Sequence, residues 1–225
     1  MRAPLSIVIP TLNATATLPD VLAALFEGLE AGLVREVIIS DGGSTDDIEA
    51  LAEEVGARFL SGPAGRGGQL RRGVAVARGG WVLALHADTV LAPGWAAAVL
   101  GHLGQYPGRA ACFRLAFRAE GLAPRLVAFW ANIRTRIFAL PYGDQGLLVP
   151  RALYDRAGGY PDIPLMEDVA LVRRLDGRVM LLPVRAITGA DRYLARGWLK
   201  QGAGNLWRLL HYLGGADPAR LAGRY

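Results

Sequence analysis

Leu5-Ser6-Ile7-Val8-Ile9-Pro10-Thr11-Leu12-Asn13 runs a short apolar, β-rich segment straight into a polar turn, and the same step recurs twice further on. Glu36-Val37-Ile38-Ile39-Ser40 enters Asp41-Gly42-Gly43-Ser44-Thr45-Asp46, and Trp81-Val82-Leu83-Ala84-Leu85 enters His86-Ala87-Asp88. Between these strands lie helical patterns. Leu18, Val21, Leu22, Leu25 and Leu29 repeat at helical spacing, so a helix is expected over 18–29. A second is expected over Thr45–Val55, opened by a Ser44/Thr45 cap with acids in its first turn. Arg58–Leu60 reads as a short strand, and Gly68–Ala77 and Pro93–Leu103 as helices. Strand and helix in alternation with short connections predict an α/β fold, a mainly parallel sheet joined by right-handed crossovers. Ligands of such sheets bind beyond the carboxyl ends of the strands. All three polar clusters fall there.

The second half is less regular. Strands are expected at Ala110–Phe117, Gln145–Val149 and Val179–Pro183, with helices at Pro124–Phe138, Glu167–Leu175 and Trp198–Leu213. At 225 residues, without repeats or low-complexity linkers, one domain (1–225) is the simplest parse. Within it, a regular part (1–105), a less regular part (106–195) and a helical end (196–225) are distinguished. A hydrophobic fraction of 52% against 20% charged residues argues against disorder. One cysteine and three histidines exclude a disulfide framework and a multi-Cys or multi-His metal centre. A metal here would be a hard cation held by oxygen.

The net charge of +5 comes from dispersed arginines without a nucleic-acid motif. It points to a phosphate-bearing substrate or an anionic membrane face, and away from nucleic acid as a partner. No stretch approaches the roughly 20 charge-poor residues of a membrane span, and the opening apolar run is too short for a signal peptide. A cytoplasmic protein is expected, with contact at the inner membrane face left open.

Each cluster suits a chemistry and also has a plainer reading. The glycines after Asp41 permit close approach of a ligand to a helix start, and Asp41 could accept from a nucleobase or ribose; a capped turn uses the same residues. Asp88 suits Mg²⁺ or Mn²⁺ beside a diphosphate, or a simple helix cap. His86 is expected to be packed and hydrogen-bonded. Gly65-Arg66-Gly67-Gly68-Gln69 offers a flexible loop with an arginine to pair with phosphate, or a solvated basic loop. Glu167-Asp168 could deprotonate an acceptor hydroxyl, or form the acidic first turn of a helix. Gly143-Asp144-Gln145-Gly146 could line a sugar site, or be a turn.

Taken in order, Pro10-Thr11-Leu12-Asn13, Ser40 to Asp46, Gly65-Arg66-Gly67, His86-Ala87-Asp88-Thr89 and Glu167-Asp168 resemble the family-two glycosyltransferases of GT-A fold, across roughly Leu5 to Leu182. The resemblance implies a Rossmann-like sheet with helices on both faces, with 1–105 as the nucleotide-binding half and 106–195 as the acceptor and catalytic half. It implies an inverting transfer of a sugar from a nucleotide-diphosphate sugar, a UDP-sugar foremost, to a hydroxyl acceptor of unknown identity. By position, Thr11 and Asn13 would line the nucleotide pocket and Asp41 would contact the base, with Arg66 and Gln69 near the pyrophosphate. Pro10, Gly43, His86, Asp144 and Gln145 complete the expected donor-binding set. Asp88 matches the last acid of the metal-binding Asp-x-Asp, and Asp168 the catalytic base, with Glu167 beside it. The carboxyl groups of Asp41, Asp88 and Asp168 are expected to face one cleft.

His86 stands where that signature usually has its first acid, and Ala14 where many relatives carry one. The Gln-x-x-Arg-Trp signature of processive synthases is not evident. The His-Ala-Asp-Thr and Gly-Asp-Gln variants resemble a compact bacterial branch often labelled as arsenosugar-pathway transferases. Two rivals stand beside this reading. A sugar nucleotidyltransferase would need a Gly-rich basic loop after the first strand, where Thr11-Leu12-Asn13-Ala14 stands. A noncatalytic, membrane-associated nucleotide-sugar-binding relative would fit the altered Asp-x-Asp but not the retention of Asp88, Glu167 and Asp168. The aromatic, basic helices Leu122–Phe138 and Trp198–Tyr212 either rest on an anionic bilayer or cover the core or a homodimer contact; the second reading is the simpler.

Overall fold

A computed structural model describes residues 3–223. The chain runs β1 (Leu5–Thr11), α1 (Leu18–Glu30), β2 (Val34–Asp41), α2 (Ile48–Glu54), β3 (Arg58–Ser61), α3 (Arg66–Val76), β4 (Trp81–Ala84), β5 (Val90–Leu91) and α4 (Trp95–Gln105). It continues with β6 (Ala111–Phe117), α5 (Leu122–Phe138), a 3-10 turn (Gly143–Gln145), β7 (Leu147–Pro150), α6 (Arg151–Arg156), α7 (Glu167–Val172), β8 (Met180–Thr188), α8 (Asp191–Arg196), α9 (Trp198–Leu213) and α10 (Pro218–Ala222).

The strands form one eight-stranded sheet in the order β3-β2-β1-β4-β7-β6-β8-β5. β3, β2, β1 and β4 pair in parallel, and β6 pairs in parallel with β8. β7 runs antiparallel to both β4 and β6, and β5 antiparallel to β8. The sheet is therefore mainly parallel, as expected, with β7 joining the two parallel groups.

Alternation along each strand divides the core. In β1, Leu5, Ile7 and Ile9 face one layer with α1, α2 and α4, while Val8 faces the other with α3, α6 and α7. Helices thus cover both faces. Trp95 is fully buried between α4 and α1, its indole N–H donating to the Ala24 carbonyl at 2.9 Å. A Cβ on Gly28 would sit 2.4 Å from that ring, so glycine is what lets the two helices close. Burial of such a ring contributes roughly 2–3 kcal/mol.

Four expectations need correction. The second helix starts at Ile48, because Ser44 and Thr45 bond across to Asp41 and Asn13 and cap nothing. Gln145 is not in a strand; it ends the 3-10 turn, and β7 begins at Leu147. The helix at Glu167 stops at Val172. The last strand extends to Thr188, since β6 offers it a partner as far as Phe117. β5, α6, α8 and α10 had no clear signal in the sequence. Among the described residues no helix is long and apolar enough to cross a membrane.

Candidate active site

A cleft of about 710 Å³ opens beyond the carboxyl ends of β1 and β4, within the range of small-molecule sites. Pro10, Thr11, Asn13, Arg66, Gln69, His86, Asp88, Asp144, Glu167 and Asp168 line it, so ten of the expected residues meet there. Asp41, Gly43 and Gln145 do not.

Asp41 is only 2% exposed. Its carboxylate accepts from the Thr11 hydroxyl at 2.9 Å, from the Ser44 hydroxyl, and from the Gly43 and Ser44 N–H groups, both at 2.7 Å. Burial alone would raise its pKa, yet these bonds together hold it below the ordinary carboxylate range. The side chain fastens the end of β2 to the end of β1 instead of facing the cleft. Gly43 belongs to the same knot, with φ +89°. Asn13 closes it from the other side: its Oδ1 accepts from Thr45 N–H at 2.9 Å, and its N–H donates to Ser44 Oγ at 2.7 Å. Asn13 holds φ +52°, a left-handed turn that asparagine tolerates better than most residues.

Gln69 stands in the cleft wall, but its amide is committed. Nε2 donates to the carbonyls of Thr11 (2.7 Å) and Ser40 (2.9 Å), and Oε1 accepts from Gly65 N–H (3.2 Å). Gln145 is fully buried behind the wall, accepting from Thr135 Oγ1 at 2.8 Å and donating to the Phe113 carbonyl at 3.1 Å. Gln69 thus ties the ends of β1 and β2 to the start of α3, and Gln145 ties α5 to β6.

The acids gather opposite α3. Asp168 Oδ2 accepts from Gly143 N–H at 2.6 Å and Oδ1 from Val169 N–H at 2.7 Å, which fixes the direction of the carboxylate. Met166 turns the chain into α7 with φ +66°. Glu167 is buried, and Arg66 Nη1 lies 3.5 Å from its Oε1. Burial first, then the Asp168 charge, push Glu167 up to about 7, against the pull of Arg66. Asp144 is raised to about 6 by burial, countered by Arg134, with Asp168 and Asp88 adding to the rise. One of its oxygens, Oδ1, is buried without a partner. His86 is packed as expected, but its Nε2 is buried without a hydrogen-bond partner. Burial, then Arg66 and Arg192, hold its protonation well below the usual range, so the ring is neutral. Gly143 is required beside it, because a Cβ there would lie 2.5 Å from Nε2.

Among the described residues no three His, Cys, Asp or Glu side chains form a metal cage. Asp88 in the cleft, with the unpartnered Asp144 oxygen in the same wall, nevertheless fits a hard cation that takes its remaining ligands from a diphosphate and water. Sequence reasoning missed the far wall altogether. Arg192 and Tyr193 of α8, and Gln201, Asn205 and Arg208 of α9, close the cleft, with Tyr193 stacked on Trp198 at 4.9 Å. The only signal was the basic, aromatic character of that segment.

A mainly parallel sheet with helices on both faces and an acid-lined cleft beyond its strand ends defines a domain of the GT-A type. Residues 6–150 match the model of glycosyl transferase family 2, and the chain belongs to that family. The chain is 36% identical over 95 residues to the glucosyl-3-phosphoglycerate synthase of Mycobacterium tuberculosis, covering 38% of this chain and 29% of that protein. It is 35% identical over 95 residues to the synthase of Mycolicibacterium paratuberculosis, with the same coverage of both. The chain thus matches well under half the length of these relatives. The crystal structure of the M. tuberculosis synthase with Mn²⁺, UDP and phosphoglyceric acid superposes with a TM-score of 0.58 at 25% identity, over 83% of this chain and 69% of that one. S. aureus TarS 1–349 with UDP-GlcNAc gives 0.62 at 14% identity, over 82% and 58%, a likeness of fold alone.

Proposed function

We propose that the protein moves a sugar from a nucleoside-diphosphate sugar, a UDP-sugar foremost, to a hydroxyl acceptor with inversion at the anomeric carbon. The observation that carries this is the meeting of Asp88, Asp168 and Arg66 in one cleft at the strand ends. The UDP and Mn²⁺ of the M. tuberculosis structure support the donor class and the cation.

Residues up to about 105 hold the donor: the β1 turn at Thr11–Asn13 takes the nucleoside side, and Arg66 pairs with the diphosphate. Asp88, together with diphosphate oxygens, would hold Mg²⁺ or Mn²⁺, which would neutralise charge on the departing diphosphate. The later elements present the acceptor. Asp168 takes its hydroxyl proton as the oxygen bonds to the anomeric carbon, and the bond to the diphosphate breaks with its electron pair leaving on the nucleotide. Glu167, buried and largely paired with Arg66, positions that arginine instead of meeting the acceptor.

Asp168→Asn keeps the shape and removes the basicity. Transfer should fall about 10²–10⁴-fold, while the thermal shift given by the donor persists. Normal turnover by this variant would remove Asp168 from the role of base.

A further inference from the structure

The outer faces of α5 and α9 are apolar, the reverse of what a surface helix normally shows water. On α5, Leu122, Leu126, Phe129 and Ile137 recur at helical spacing on the exposed side, with Trp130 beside them; Leu122 is 83% and Trp130 62% exposed. On α9, Leu199, Leu206, Leu210 and Leu213 form a second exposed stripe, Leu199 at 74%. The expectation that these helices simply cover the core holds for one face of each, through Pro124, Ala128 and Thr135 on α5 and Gln201, Arg208 and Leu209 on α9. The two lie side by side, a Cβ on Gly202 falling 3.8 Å from Val127.

Their charge is one-sided. Leu122–Phe138 contains Arg125, Arg134 and Arg136, and Trp198–Leu213 contains Lys200 and Arg208, with no Asp or Glu in either helix. Arg125, Arg136 and Lys200 are exposed at the borders of the stripes. A second copy pairing through this face would set those cations against their own equivalents, with no acid on either helix to answer them. An anionic lipid surface satisfies both halves of the pattern: leucines and aromatic rings enter the acyl boundary while the cations meet the headgroups.

We propose that α5 and α9 form a docking surface for an anionic lipid bilayer. α9 then has two working sides, since Asn205 and Arg208 on its inner side line the cleft. The surface does not depend on the transfer reaction proposed above.

The test is flotation of the full chain with phosphatidylglycerol or phosphatidylcholine vesicles at low and high salt. It is run beside a quadruple variant (Leu126→Ser, Phe129→Ser, Leu206→Ser, Leu210→Ser) and a charge variant (Arg125→Glu, Arg136→Glu, Lys200→Glu). The parent should float with phosphatidylglycerol and far less with phosphatidylcholine, and each variant should lose about tenfold or more of that partition. Donor-induced thermal shifts should be retained in both variants, which separates loss of docking from loss of the donor site. If the quadruple variant fails to fold, the charge variant decides. Absence of flotation, or equal binding to both lipids, overturns the proposal. So does a dimer in light scattering that these substitutions make monomeric, because the face then belongs to a second copy.

Discussion

Glu167 and Asp168 are neighbours in sequence with opposite fates, set by what surrounds each. Main-chain N–H groups hold both Asp168 oxygens in the cleft wall. Glu167 is buried in the same wall beside Arg66, and burial raises it to about 7 from the ordinary 4.5. A carboxyl group raised in the folded state binds its proton more tightly there than in the unfolded chain. Its contribution is therefore complete below about pH 4.5 and is lost as the pH rises towards 7. That rise, the pull of Arg66 included, corresponds to a decline of ~3 kcal/mol across the window. Glu167→Gln, neutral at every pH, should remove that share of the decline and leave the part due to Asp144, raised to about 6. Denaturant unfolding at several pH values would show this, and equal slopes in both proteins would mean that Glu167 is not the group responsible.

α3 reaches the sheet through a single side chain as much as through its apolar face. Gln69 donates to Thr11 at the end of β1 and to Ser40 near the end of β2, so one amide sets the height of the helix above both strands. Arg66 sits one turn earlier on the same helix and depends on that height. Gln69→Ala removes both bonds from a buried setting and should cost ~2 kcal/mol, a drop of ~4–8 °C in Tm. Donor affinity should fall with it; a variant that melts normally would show that Leu70 and Val74 alone seat the helix. Elements of this kind explain what could be read in the sequence. The strands and long helices of the first half announce themselves by period, and the polar steps at their ends place a site. That Asp41 would spend its carboxylate on a turn was not legible, since Asp-Gly-Gly-Ser serves a ligand or a knot equally well. The far wall was hidden for another reason: α8 has six residues, and Arg192, Tyr193 and Arg208 reach the cleft only through tertiary packing that no local pattern encodes.

At the scale of the whole molecule, the ligand set for a cation is divided between protein and donor. Asp88 comes from the end of β4 and Asp144 from the turn before β7, and among the described residues no third His, Cys, Asp or Glu joins them to form a cage. A cation offered alone therefore meets few ligands, and a donor offered alone brings two phosphate charges to a wall that already carries Asp88, Asp144 and Asp168. Arg66 and Arg192 answer part of that charge; the cation answers the rest. The two ligands should bind with positive cooperativity. Mn²⁺ alone is expected to leave the melting temperature unchanged, and a UDP-sugar alone to raise it slightly. Together, at about a hundred times the apparent Kd, they should add ~2.7 kcal/mol, or ~5–10 °C for a domain of this size. Asp88→Asn should abolish the excess of the joint shift over the donor's own while leaving the donor's own shift in place. A full shift from Mn²⁺ by itself would mean that the protein builds a complete metal site without the diphosphate, and the division of ligands argued from Asp88 and Asp144 would be wrong.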